Sequence, residues 1–296
     1  VSGGHQGRVV VAHLFPDLLN LYGDRGNIET LARRAAWRGF EVEVRRIAAG
    51  DGRALRGADV IFVGGGADRH QKLVADALTT LEDPLRAALD DGASLLAVCA
   101  GYQSLGHVYR SNLVGDLAGP GLLDVETEVP AGAPRLVGGI VLELESGSPI
   151  AAATGDGPRR SPGGTHRLVG FENHGGRTTL GPTMRPLGRV LLGRGNGDDA
   201  REEGAIALPG EGGIAGLRIG TYLHGPLLPR NPHLADFVLA CGIARGLGDP
   251  LPALPDEHEW AAHDSFEADW TAIRPGVHRQ SRLGRTLDRV TALIGS

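Results

Sequence analysis

Three apolar runs in the first third of the chain scarcely alternate: "RVVVAHLF" (Arg8–Phe15), "ADVIFVGGG" (Ala58–Gly66) and "SLLAVCA" (Ser94–Ala100). A strand with one wet face alternates apolar and polar residues. A strand that is apolar on both sides has to be covered on both, which means a parallel sheet between layers of helix. A fourth run, "EVEVRRI" (Glu41–Ile47), alternates and reads as a strand with one polar side. Helical spacing lies between the runs. Ile28, Leu31, Ala32, Ala35 and Ala36 share a face that stops at Gly39, where glycine suits a helix end. Residues 70–92 read as helix with a break at Pro84. The order β-α-β-β-α-β predicts an α/β fold with a doubly wound, mostly parallel sheet. Ligands of such sheets sit beyond the carboxyl ends of the strands.

The second half reads differently. "GLLDVETEV", "RLVGGIVLEL", "RLVGFEN" and "GRVLLGRG" are short runs set off by Gly, Pro and polar clusters, which predicts an antiparallel β extension. Residues 153–166 read as a surface loop. Ile214–Leu223 then reads as a buried strand, followed by a Pro-rich turn and a helix from about Pro232. Beyond Gly246 the composition shifts to Pro, Asp, His and Arg, ending in a helical pattern of Arg282, Arg285 and Arg289 among Leu283, Leu287, Val290 and Leu293. The organisation expected is a flexible leader (1–7), one catalytic domain (8–246) and a partly helical C-terminal extension (247–296) that packs on the domain or on a partner.

Charge and composition exclude some classes of function. With 30 Lys and Arg against 35 Asp and Glu, the chain has no basic footprint for nucleic acid and no polybasic membrane patch. No apolar run approaches the roughly 18 residues a membrane span needs, and no export signal is visible. Only Cys99 and Cys241 are present, which fits two reduced thiols in a cytoplasmic protein.

Cys99 ends the third apolar run with Ala97 and Gly101 around it. Small neighbours at those positions suit a sharp strand-to-helix turn that lifts the middle side chain out of the sheet. A helix N-terminus there favours a thiolate. Cys99 is thus either a nucleophile or a small core residue, and the residues alone leave both open. A nucleophile needs a base, and His224 in "GTYLHGPLL" follows another buried strand. If that strand joins the same sheet, His224 reaches the same edge as Cys99. Gly64–Gly66 end the strand before, where one backbone N–H, with that of Ala100, could bind an oxyanion. A phosphate loop is excluded, because "GGGADRHQK" lacks the required spacing. No metal site is expected, since neither cysteine lies in a C-x-x-C and the histidines lack ligand spacing.

Taken together, "VCAGYQSLG", "FVGGGADRHQ" and "GTYLHGPLLPRN" resemble a class I glutamine amidotransferase domain with its flavodoxin-like fold, in the cobyric acid synthase-like branch. More narrowly, "LNLYGDRGNIETLARRAAWRG", "RLVGGIVLE", "GFENHGGRT" and "GTYLHGPLLP" in this order resemble the glutaminase (GatD-type) subunits of lipid II isoglutaminyl synthases, over roughly residues 8–245. The resemblance implies that Cys99 attacks L-glutamine and that His224 serves as base and acid. It implies N–H groups of Ala100 and Gly65 at the oxyanion, and Arg135 holding the substrate, as a guanidinium can hold a carboxylate. Gln103 matches a substrate-side position. Asn173 and His174 fall in a structured turn, "FENHGG", without an assigned step, and Asp24 and Asn27 read as caps of the first helix.

Two features depart from the wider class. The residue after the cysteine is Ala100, where glycine is common, and Pro226 stands where many class I domains carry a glutamate after the histidine. The cobyric acid synthase-like branch lacks that glutamate too, so what orients His224 is left open. No nucleotide loop is visible. The resemblance therefore implies a separate Mur ligase-like (MurT-type) synthetase in a heterodimer, carrying ATP and Mg, that amidates D-glutamate of lipid II to D-isoglutamine. A different acceptor, such as a corrinoid carboxylate, is the alternative; a non-catalytic α/β binding module with a structural cysteine is the remote one.

Overall fold

A computed structural model describes residues 7–21, 23–153, 166–199 and 201–271. The expected leader (but for Gly7), nearly all of the 153–166 loop and the arginine-bearing helical pattern lie outside the described residues. The first half runs β1 (Arg8–Leu14), α1 (Arg25–Trp37), β2 (Glu41–Ile47), β3 (Val60–Val63), α2 (Gln71–Thr79), α3 (Glu82–Asp90), β4 (Ser94–Val98) and α4 (Ala100–Ser104). The second continues through β5 (Val108–Ser111), β6 (Gly115–Ala118), β7 (Val125–Val129), β8 (Leu136–Glu143), α5 (Pro149–Ala152), β9 (Arg167–His174), β10 (Arg177–Leu180), β11 (Gly188–Leu192), β12 (Glu202–Glu203), β13 (Ala205–Ala207), β14 (Arg218–Thr221), α6 (Pro232–Ala244) and α7 (Glu257–Thr271).

The main sheet has the order β13-β14-β4-β3-β1-β2. Its strands are parallel except for the edge strand β13. Every residue of β3, β4 and β14 is buried, as the unbroken apolar runs require. Edge strand β2 is mostly open and keeps the alternation that one wet face allows. Helices α1 and α6 pack on each other and against β1–β4. Two smaller four-stranded sheets, β10-β7-β5-β6 and β12-β11-β8-β9, make the extension. The second is antiparallel throughout, but the first includes one parallel pair, β5 with β7.

One break lies elsewhere than its sequence signal. The 70–92 segment is interrupted between α2 and α3, ahead of Pro84, which is the third residue of α3. First-turn N–H groups have no partner inside the helix, so proline there begins a helix instead of breaking one.

A buried ion pair ties the helical layer together. Arg34 on α1 donates from Nε and Nη2 to Asp236 on α6 at 2.6 and 2.7 Å, and from Nη1 and Nη2 to Asp256 ahead of α7 at 2.7 and 2.8 Å. Helix α7 then packs on β8 and β9. His233 stacks on Trp260 at 5.1 Å, and the His263 ring meets the Arg230 carbonyl at 2.8 Å. Among the described residues no helix is long and apolar enough to cross a membrane.

Candidate active site

The parallel register aligns three strand ends. Val63 of β3 stands beside Ala97, and Thr221 of β14 beside Val98 of β4. The glycine loop, Cys99 and the segment leading to His224 therefore emerge at one edge. Cys99 is the turn itself, with φ 48° and ψ −103°. That conformation costs an L-residue on the order of 1–3 kcal/mol and persists only where surroundings over-determine it. Here they do. The Cys99 N–H donates to the Thr221 carbonyl at 2.8 Å, and its carbonyl accepts from Gln103 N–H at 2.9 Å. Gly101 packs so tightly that a Cβ would lie 2.7 Å from the Val63 carbonyl oxygen.

His224 follows β14, and backbone hydrogen bonds of 2.7 and 3.2 Å join it to Phe171 of β9. Its buried ring lies against Gly65, where a Cβ would come within 2.8 Å of Cε1. The next glycine approaches the elbow, since a Cβ on Gly66 would lie 3.5 Å from that of Ala100. Ring, glycine loop and elbow are thus contiguous.

Arg135 precedes β8 and reaches the same place. It donates from Nε to Asn173 Oδ1 at 3.1 Å, from Nη2 to the Asn173 carbonyl at 3.2 Å and from Nη1 to Asp68 at 2.7 Å. That Asn173 carbonyl oxygen lies 4.0 Å from Cys99 Sγ.

Burial sets the electrostatics. It pushes the Cys99 thiol up to about 12, with the charges of Asp24 and Asp68 adding to the rise, while Arg135 and the Ala100 N–H work against it. Burial also pushes His224 down to about 3, helped by the charges of His174 and Arg135. The resting pair is therefore neutral thiol and neutral imidazole. The expected thiolate-favouring effect of the helix end is outweighed by desolvation. Such a pair can still transfer a proton as charge develops on a substrate.

The structure gives partners to the remaining residues that the sequence singled out. The Gly65 N–H has a partner within the protein, donating to Asp24 Oδ2 at 2.6 Å. Asp24 is accordingly no cap by its side chain: its carboxylate leaves α1 to hold the glycine loop, and burial raises it to about 7. Asn27 accepts from the Leu228 N–H at 2.8 Å and reaches Asp24 Oδ1 with its amide at 3.5 Å. Gln103 is a crosslink within the protein. Its Oε1 accepts from Gln71 at 2.8 Å and its Nε2 donates to Tyr222 Oη at 3.2 Å. The segment read as a turn is strand β9 through His174. The His174 ring stacks on Tyr222 with centroids 3.5 Å apart. Among the described residues no three His, Cys, Asp or Glu side chains are grouped to hold a metal ion.

Sequence reasoning gave no role to Asn173 or Asp68 and read Asp24 only as a helix cap. Each lies in a quoted motif, but nothing in its spacing shows that it meets the others across the sheet edge.

A cysteine elbow on a central strand of such a sheet fits the class I glutamine amidotransferases. A solved glutamine amidotransferase shares the fold with a TM-score of 0.51 and 18% identity, over 79% of this chain and 98% of that one. The chain belongs to the CobB/CobQ-like glutamine amidotransferase domain family, whose model matches residues 10–232. The GatD subunit of a glutamine-hydrolysing lipid II isoglutaminyl synthase from Staphylococcus aureus is 38% identical over 78% of this chain and 83% of its own length. The GatD subunit from Streptococcus pneumoniae is 30% identical over 86% and 89%. A cobyric acid synthase from Pelotomaculum thermopropionicum is 32% identical, over 59% of this chain and 31% of its own.

Proposed function

We propose that this chain is the glutaminase subunit of a two-subunit, cytoplasmic enzyme that amidates lipid II. The Cys99 thiol attacks the side-chain amide carbon of L-glutamine as His224 accepts its proton. The Ala100 N–H donates to the oxyanion of the tetrahedral intermediate. His224 returns the proton to the leaving ammonia, then activates the water that hydrolyses the γ-glutamyl thioester to glutamate. Arg135 holds the α-carboxylate of the substrate. Residues 8–246 form the glutaminase unit, and residues 247–296 extend it.

The ammonia passes to a Mur ligase-like (MurT-type) partner. That partner binds ATP and Mg and activates the α-carboxyl of D-glutamate, so that the product is D-isoglutamine. The observation that carries this reading is the likeness to the GatD subunits, which spans most of both chains, 78% of this one and 83% of the Staphylococcus relative.

The test is reconstitution with the Mur ligase-like protein that co-purifies with the chain. Amidation of lipid II should require ATP, glutamine and Cys99, and be lost in Cys99→Ala. A partner that amidates some other carboxylate overturns the acceptor. Unchanged glutamate release from Cys99→Ala overturns the catalytic assignment.

A further inference from the structure

Two edges of the Arg135 guanidinium are anchored on Asn173, and the third, Nη1, meets Asp68 Oδ2 at 2.7 Å. This ion pair is 45% and 41% exposed. A pair so open to solvent contributes only about 0–1 kcal/mol to stability, so scaffolding does not account for it. Asp68 opens a short turn, Asp68–His70, directly after the glycine loop. Its charge is felt at the Cys99 thiol and at the buried Tyr109 phenol, which burial and then Asp68 push up to about 12. A cation and an anion therefore stand side by side, half-exposed, where both act on the elbow thiol and Arg135 shares the Asn173 carbonyl with its sulfur.

A free α-amino acid carries the matching pair. Glutamine has an ammonium and a carboxylate on one carbon, two methylenes beyond its side-chain amide. We propose that Asp68 binds the α-ammonium of L-glutamine while Arg135 binds its α-carboxylate, so that the two form a zwitterion clamp that makes the site specific for free amino acids. The inference rests on the glutaminase reading above. Paired with each other, Arg135 and Asp68 are mutually neutralised. An entering zwitterion exchanges one ion pair for two, and neither charge is left bare. An amide without the α-amine leaves Asp68 without a ligand cation while occupying Arg135. A glutamine inside a peptide has neither charge to offer. The clamp thus discriminates by the groups that a wrong substrate leaves unmatched.

The test compares L-glutamine with the monoamide of glutaric acid, which is glutamine without its α-amine. Hydrolysis of both by the full-length chain, with its synthetase present, is measured as kcat/KM. Wild type should prefer glutamine. Asp68→Asn should reduce that preference about tenfold or more, mainly through KM for glutamine, in line with loss of one charge-assisted hydrogen bond. Asp68→Glu, which keeps the charge, should retain most of the preference. Equal losses for both substrates in Asp68→Asn would overturn the clamp and leave Asp68 a structural residue. Equal gains would overturn it in favour of a simple cover over Arg135. If wild type releases no glutamate from glutamine, the glutaminase reading itself fails, and the clamp with it.

Discussion

Replacing Gly65 by alanine adds one methyl group at the point where the glycine loop meets the imidazole. The new Cβ would lie 2.8 Å from His224 Cε1, 3.5 Å from its Nδ1 and 3.4 Å from Asp24 Oδ2. Ordinary contact begins near 3.4 Å, so the ring must move by several tenths of an ångström. It has little room to do so. His224 is 1% exposed and its backbone is pinned to Phe171. General-base catalysis needs a reach of about 2.6–3.2 Å, and misplacement of a reacting group by about 1 Å costs on the order of 10²-fold. The expected fall in kcat is therefore between about tenfold and 10²-fold. Overpacking of this kind costs about 1–3 kcal/mol, so the variant should stay folded with a modestly lowered Tm. Gly138→Ala is the control, because a Cβ there meets nothing within 4 Å. Glutamate release and thermal unfolding are measured for both variants in the assembled enzyme. A folded Gly65→Ala enzyme with kcat within twofold of wild type would refute the placement of His224 as the base.

The pH profile and one buried ion pair give further tests. His224 accepts a proton only when neutral, and its pKa is lowered to about 3. Since kcat/KM reports the free enzyme, it should hold down to about pH 5 and fall only in more acidic solution; half-loss near the ordinary histidine value of about 6.5 would contradict this. Arg34→Met removes the buried partner that Asp236 and Asp256 share and leaves Asp236 only its bond from Arg38 at 2.7 Å, so unfolding free energy should drop by about 3 kcal/mol, the low end for a broken buried pair. A loss below about 1 kcal/mol in a denaturant titration would show that the network is not holding the helical layer.

Much of the frame is legible because burial on two faces leaves a strong mark. Runs such as Val60–Val63 have few other folds open to them, and a small-residue elbow at Cys99 narrows the chemistry further. What stays hidden has definite physical causes. Strands as short as Glu202–Glu203 and Ala205–Ala207 have too few residues to show a period. The effect of Pro84 depends on where α3 begins, which local spacing does not reveal. The commitments of Gly65 to Asp24 and of Gln103 to Gln71 and Tyr222 join residues far apart in the chain. The state of the Cys99 thiol depends on how thoroughly water is excluded from the assembled edge, so a helix N-terminus in the sequence misjudges it.

The account stands on Cys99 as the atom that attacks glutamine. The direct measurement is covalent labelling with the diazoketone analogue of L-glutamine, followed by peptide mass spectrometry. The account predicts one adduct, on the peptide carrying Cys99, with glutamate release lost in step with labelling and protected by glutamine. Loss of activity with the adduct on Cys241, or on no cysteine, would contradict it.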